Sequence, residues 1–243
     1  MITSDWRAEY LERFYSGPRD QRGRWPHLVE EYTQPGASVL EIGGGPVSWT
    51  TSMMRPRARE IVGLDIDPAV KTNELLDDAV VYDGHRFPFP DARFDLAISR
   101  WVNEHLRDPF AHFSEIERVL RPGGLYVFRT VNLYHYAPLG ARITPHRIQV
   151  PLARWLPHMP PETHDPYPVY YRINTRSKIV ATAARIGLRP IVFTISEERP
   201  AYGMACRPLF FAFMLYERLV NSSNRLEGLR HTIDCVLEKP SAH

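Results

Sequence analysis

Short apolar runs alternate with stretches of helical period along the first half of the chain. The run Ala37-Ser38-Val39-Leu40-Glu41-Ile42 ends on Gly43-Gly44-Gly45, which predicts a buried strand closed by a sharp turn. Ser48 to Met54 follows with helix-compatible spacing, and Glu60-Ile61-Val62-Gly63-Leu64-Asp65 predicts a second strand. Asp67-Pro68 then supplies a capping side chain and a first-turn proline for a helix. Ala79 to Tyr82 and Phe94 to Ser99 predict strands three and four. Asp108-Pro109 repeats the helix-start signal, with Phe110, Phe113, Ile116 and Leu120 spaced for one buried face. Pro122-Gly123-Gly124 stops that helix ahead of a fifth strand, Leu125 to Val131. Repeated strand-helix-strand units predict an α/β fold with a doubly wound, largely parallel sheet. Ligands of such sheets bind outside the carboxyl ends of the strands, near the switch in strand order.

Past the fifth strand the pattern loosens. Proline makes up 22 of 243 residues and crowds the segment from Pro138 to Pro168, which predicts an irregular elaboration on the regular framework. Lys178 to Ile186, stopped by Gly187, reads as a helix, Leu188 to Ile195 as a sixth strand, and Cys206 to Asn221 as a strongly apolar helix. That last helix packs in a core, forms a dimer face, or lies against a lipid surface. At the N-terminus Trp6, Tyr10 and Phe14 recur every four residues, an aromatic stripe along one more helix.

Composition narrows the function classes. With 44% hydrophobic and 24% charged residues the chain is a soluble globular type, and its net charge of +2 gives no field that would recruit nucleic acid or an anionic membrane. Cys206 and Cys235 stand far apart, without disulfide-scaffold or metal-ligand spacing, which suits a reducing compartment. The first seven residues, Met1-Ile2-Thr3-Ser4-Asp5-Trp6-Arg7, carry acid and polar groups where a signal peptide would need an apolar core, and the longest apolar run, Leu209 to Leu215, is too short to span a bilayer. A cytoplasmic protein without a membrane span is the expectation.

The glycines after the first strand carry the strongest chemical signal, because they let the backbone pass close to a ligand where a Cβ would clash. Asp65 ends the next strand about twenty residues on, where a carboxylate can accept hydrogen bonds from a ribose diol. A tight turn and a helix cap would be the bland alternative. With these two elements in place, the chain resembles the class I methyltransferases that use S-adenosylmethionine, in particular those with small-molecule acceptors. Tyr82-Asp83-Gly84, Phe87-Pro88-Phe89-Pro90-Asp91, Phe94-Asp95-Leu96 and Arg118-Val119-Leu120-Arg121-Pro122-Gly123-Gly124 are similar to that family's later landmarks, in order.

The resemblance covers about residues 35 to 130 and implies a Rossmann-like sheet whose last strand, Ile233 to Leu237, is antiparallel. It divides a single domain into an N-terminal helical cap (1–34), a cofactor-binding core (35–130), an acceptor-site lid inserted after the fifth strand (131–173) and the rest of the sheet with the apolar helix (174–243). It implies that Gly43 and Gly45 pass under the methionine part of the cofactor and that Asp65 holds the ribose. Asp83 and the backbone at Gly84 then recognise adenine, Glu41 orients the glycine loop or the methionine amino group, and Ser99 offers its backbone to that group. Val47 departs from the pattern, standing where many relatives have a third glycine.

His105, in Asn103-Glu104-His105-Leu106 at the rim, is the candidate base if the acceptor must lose a proton, or else a helix-start packing residue. Glu104 is its partner or a solvated cap. Tyr134, His135, His146, Arg147, Tyr170 and Arg172 are the candidate acceptor contacts, the two arginines for a carboxylate or phosphate unless they pair with Glu162 or Asp165. The N-terminal stripe packs on the core or closes over the sulfonium. O-methylation of a small molecule leads, ahead of RNA or protein methylation and of a non-catalytic cofactor-binding module. No nucleic acid partner is expected, a lipid-linked acceptor stays open, and the chain is read as a monomer or homodimer.

Overall fold

In the computed structural model, which describes residues 5–16, 23–143, 167–199, 203–204 and 206–241, the apolar runs become seven strands of one sheet. They are β1 (Ser38–Ile42), β2 (Glu60–Asp65), β3 (Asp78–Val81), β4 (Phe94–Arg100), β5 (Leu120–Val131), β6 (Arg189–Ser196) and β7 (Thr232–Glu238), in the spatial order β3-β2-β1-β4-β5-β7-β6. β1 pairs in parallel with β2 and β4, β2 with β3, and β4 with β5. β7 runs the other way along β5: Asn132 N–H donates to His231 O (2.6 Å) at one end and Lys239 N–H to Gly124 O (2.9 Å) at the other. The mixed, mostly parallel sheet expected from the sequence is therefore the observed one.

Chain packing divides the protein into two compact units. The larger comprises Arg24–Val131, Pro168–Thr194 and Ile233–His243 and holds the sheet's core. Period-two alternation builds it. Val39, Ile61, Leu96, Ile98 and Val127 pack with Trp25 and Val29 of α2 (Arg24–Tyr32) and Met54 of α3 (Trp49–Met54). The intervening positions Tyr126 and Phe128 meet Phe113 of α4 (Pro109–Val119) edge-on, at 5.5 and 5.8 Å between ring centres. Helices start where capping side chains allow: Ser48 accepts from Thr51 N–H, Asp108 from Ala111 N–H, and Thr175 from Lys178 N–H at the head of α6 (Arg176–Arg185). Such caps contribute about 1 kcal/mol each.

Two local expectations shift. Asp67 caps as read, but only a 3₁₀ helix, Pro68–Thr72, follows, since the β2–β3 connection (66–77) is close to the shortest crossover, roughly 10–12 residues. β5 begins at Leu120, directly after α4, so Pro122-Gly123-Gly124 lies inside the strand. A register shift between Phe94 and Leu96 absorbs the extra residues. Further along, Arg129 and Asp234 form a bidentate pair (2.7 and 2.8 Å), both side chains buried, that ties β5 to β7.

The smaller unit, Met1–Gly23, Asn132–Tyr167 and Ile195–Thr232, contains α1 (Trp6–Tyr15), α5 (Tyr136–Ile143) and α7 (Arg207–Asn221). The α1 stripe packs on α7, where the rings of Trp6, Tyr10 and Phe14 stand 6.1, 5.3 and 6.2 Å from that of Phe210. Tyr15 donates to Glu217 (3.1 Å). Among the described residues no helix is long and apolar enough to cross a membrane, and Cys206 and Cys235 are free thiols.

Candidate functional site

β1 has β2 on one side and β4 on the other, so strand order switches between β1 and β4. At their carboxyl ends lies a cleft of about 150 Å³ lined by Glu41, Gly43, Val47, Trp49, Ser99 and Trp101 among others. Gly43 turns the chain at φ +72° with its N–H on Leu64 O (2.9 Å); a Cβ there would sit 2.4 Å from Cγ2 of Val102. Gly45, at φ +56°, donates its N–H to Oδ2 of Asp65 (3.0 Å), and a Cβ there would point into open space. The second Asp65 oxygen accepts from Asp67 N–H (3.0 Å), so one carboxylate joins the glycine loop to the end of β2.

Glu41 lies buried beneath the loop, accepting from the hydroxyls of Ser48 and Thr51. Burial pushes its carboxyl above the usual range, and the two hydroxyls oppose that shift. One strand over, Asp83 and Gly84 are exposed beyond β3. Asp83 accepts from His85 N–H (2.9 Å), and a Cβ on Gly84 (φ +83°) would lie 3.7 Å from Ile66, an exposed apolar residue next to Asp65. Burial, with Asp65 and Asp83 adding to it, raises the Tyr82 hydroxyl to about 12. Ser99 is buried, its hydroxyl 2.8 Å from that of Tyr126, which donates to Asn103 (3.0 Å).

The rim after β4 is held by residues 168–174. Tyr170 and Tyr171 N–H both donate to Glu104 O (2.8 and 3.1 Å). His105 Nδ1 is 3.1 Å from Pro168 O; a carbonyl only accepts, so Nδ1 carries the proton and the neutral ring has its lone pair on Nε2. Glu104 is not a solvated cap. It is buried, accepts from Thr130 Oγ1 (2.8 Å), and is pushed above the usual carboxylate range by that burial. Asn174 completes the network by donating to Thr130 Oγ1 (2.8 Å).

With this geometry in hand, comparison with known proteins is decisive for the domain: residues 40–128 match the methyltransferase domain family. Residues 40–128 form a class I methyltransferase domain. The cofactor of that domain is S-adenosylmethionine. An uncharacterized methyltransferase of Mycobacterium sp. (strain KMS) is 34% identical over 137 residues, covering 52% of this chain and 54% of that protein. A malonyl-[acyl-carrier protein] O-methyltransferase of Serratia marcescens is 29% identical over 103 residues, 41% of this chain and 40% of that one. The chain thus spans about half the length, or less, of these curated relatives. In fold it is similar to an S-adenosylmethionine-dependent methyltransferase from Mesorhizobium loti, with a TM-score of 0.58 at 16% identity, covering 90% of this chain and 98% of that one.

The methyltransferase domain brings Glu41, Gly43, Gly45 and Asp65 around one loop, with Ser99 lining the same cleft and Asp83 and Gly84 at the end of β3. They fit the cofactor: the space beside Gly45 is one that a Cβ would fill, and Asp65 has carboxylate lone pairs for ribose hydroxyls. Val47, exposed, lines the cleft. Tyr170 and Arg172 join His105 at the rim. Tyr134 and His135 belong to the smaller unit. There Tyr134 is half exposed, while His135 is wholly buried against Tyr136, with Nε2 3.5 Å from Glu197. Burial lowers His135 to about 3 and raises Glu197 to about 8. His146 and Arg147 lie outside the described residues.

Sequence reasoning missed Trp49, Arg100 and Trp101. Arg100 lies over the rings of Trp49 (5.5 Å) and Trp101 (5.9 Å), and Trp101 adopts φ +59°, a strained conformation for a bulky side chain. The available signal was position: one aromatic in the first turn after the glycine loop, the other directly after β4.

Proposed function

We propose that this chain transfers the methyl group of S-adenosylmethionine to a small-molecule acceptor, at oxygen. The observation that carries the reading is the Gly45 N–H bond to Asp65 at the switch in strand order. It supports the reading because it joins the glycine loop to a carboxylate whose lone pairs suit a diol, at the same strand ends. When bound, S-adenosylmethionine supplies a carbon activated by a sulfonium, so the protein's task is alignment and exclusion of water. Gly43 and Gly45 give the methionine portion its path, Asp65 holds the ribose, and Asp83 with the Gly84 backbone takes adenine. Glu41, each of whose carboxyl oxygens accepts from a hydroxyl of Ser48 or Thr51, orients the loop. The backbone of Ser99 serves the amino group.

Oxygen is favoured because His105, with its proton on Nδ1, offers Nε2 as the base that takes the acceptor hydroxyl's proton as the new bond to carbon forms. The Serratia marcescens relative is likewise named an O-methyltransferase. Tyr170, beside His105 at the rim, is the proposed acceptor contact; His135 is wholly buried and Arg172 lines a separate groove. The test is calorimetric titration with S-adenosylhomocysteine, followed by a screen of hydroxylated acceptors with labelled cofactor. Asp65→Ala should abolish the binding heat, and His105→Ala should lose turnover while keeping that heat. Equal heat from Asp65→Ala and the parent would sink the site assignment.

A further inference from the structure

The larger unit has a second concavity, away from the glycine loop, between the first turn of α4 and one face of α6. Its volume is about 550 Å³, within the range of small-molecule sites. Lys178, Ala181, Thr182 and Arg185 recur at the spacing of a single helix face, with the two small residues leaving room between the two cations. Across from them stand Pro109 and Phe110, and Arg107 and Arg172 complete the charged lining.

Four cations therefore line one groove against one acid, Asp108, whose carboxylate is taken up in capping α4 through Ala111 N–H (3.0 Å). The arginines are held in place. Arg107 Nε donates to the Tyr170 hydroxyl (2.7 Å) and Arg172 Nη1 donates to Arg107 O (2.6 Å), so both guanidiniums rest on the Tyr170 ring, at 5.5 and 5.8 Å. Arg185 stacks on the exposed ring of Phe110 (4.7 Å). Among the described residues no carboxylate lies within ion-pair distance of any of the four. Among the described residues these cations outnumber the groove's one carboxylate by four to one, which favours an anion, and paired guanidinium donors match the terminal oxygens of a phosphate. Phe110, Pro109, Ile173 and Ala181 add an apolar surface that a bare ion would not use.

We propose that this groove is a binding site for an organic phosphate, with the phosphate among Arg107, Arg172, Lys178 and Arg185 and an apolar body on Phe110. The site goes beyond the methyl-transfer reading and stands without it. The test is calorimetric titration of the full chain with phenyl phosphate as probe, beside inorganic phosphate and phenylacetate. Phenyl phosphate should bind about tenfold more tightly than either, since each control lacks the body or one charge. Lys178→Gln/Arg185→Gln, both exposed positions on α6, should weaken phenyl phosphate by about tenfold, and each single change by about threefold, while melting temperature stays at the parent value. Arg107→Lys keeps the charge but loses the paired donors and should also weaken binding. No heat from the parent, the same affinity in the double variant, or equal affinity for inorganic phosphate would overturn the proposal. Titration of the same samples with S-adenosylhomocysteine keeps the two readings apart: loss of that heat in the parent removes the methyl-transfer reading and leaves the groove standing.

Discussion

Alanine at Gly43 and at Gly45 should produce opposite phenotypes, although the two positions are two residues apart and both left-handed. A Cβ in that conformation costs about 1–2 kcal/mol at either site. At Gly43 the added carbon also falls 2.4 Å from Cγ2 of Val102, a short, stiff side chain that cannot swing away. Overpacking of this kind adds about 1–3 kcal/mol. Gly43→Ala should therefore lose about 2–5 kcal/mol and Gly45→Ala about 1–2, which for a chain of this size means melting temperatures lower by about 4–20 °C and 2–8 °C. Binding should follow the reverse emphasis. At Gly45 the Cβ meets nothing in the protein and stands on the path proposed for the methionine portion, so affinity for S-adenosylhomocysteine should fall by more than about tenfold in a protein that is still well folded. Adding Val102→Ala to Gly43→Ala should return the collision part of the loss and leave the backbone part. Thermal unfolding by circular dichroism and calorimetric binding read the two effects separately. Equal melting of the two single variants, or parental affinity in Gly45→Ala, would refute the geometry of the loop.

Asp234→Ala strands the buried Arg129 guanidinium and should cost about 3–5 kcal/mol, lowering the melting temperature by about 6–20 °C; an unchanged transition would mean the pair contributes nothing. In the smaller unit Glu197 is raised from 4.5 to about 8, so its folded form prefers the proton. The stability it confers is complete below pH 4.5 and is lost as pH rises towards 8. His135, lowered from 6.5 to about 3, acts in the opposite sense, its contribution being complete above 6.5 and lost as pH falls. Melting curves of Glu197→Gln should accordingly fall less between pH 5 and 8.5 than those of the parent, and parallel curves would reject the assignment. Trp49 and Trp101 line the cleft, so S-adenosylhomocysteine should change tryptophan emission in the parent, and Trp49→Phe/Trp101→Phe should lose most of that change; an undiminished signal would place the ligand elsewhere.

What the sequence made legible was local. The glycine loop and Asp65 could be read because a left-handed turn after a buried strand leaves few residue types, and because the next strand must end beside it. The caps at Asp67 and Asp108 followed from side chains acting within a few positions. Pairings across long separations were not legible. Arg129 and Asp234 are 105 residues apart, Arg107 and Tyr170 are 63 apart, and neither leaves a periodic trace. Glu104 looked like a surface acid because its burying partners, Thr130 and Asn174, come from β5 and from the segment after 168. The strain at Trp101 was equally hidden, since nothing in the local pattern asks a tryptophan for positive φ. The aromatic stripe of α1 was visible, but which surface it meets depended on α7, nearly two hundred residues later.

The central claim is that the glycine loop and Asp65 form a cofactor site, and the most direct measurement is calorimetric titration of the unaltered protein with S-adenosylhomocysteine. A one-to-one isotherm in the micromolar range, lost in Asp65→Ala, is the predicted result. Absence of heat at high protein concentration would contradict it.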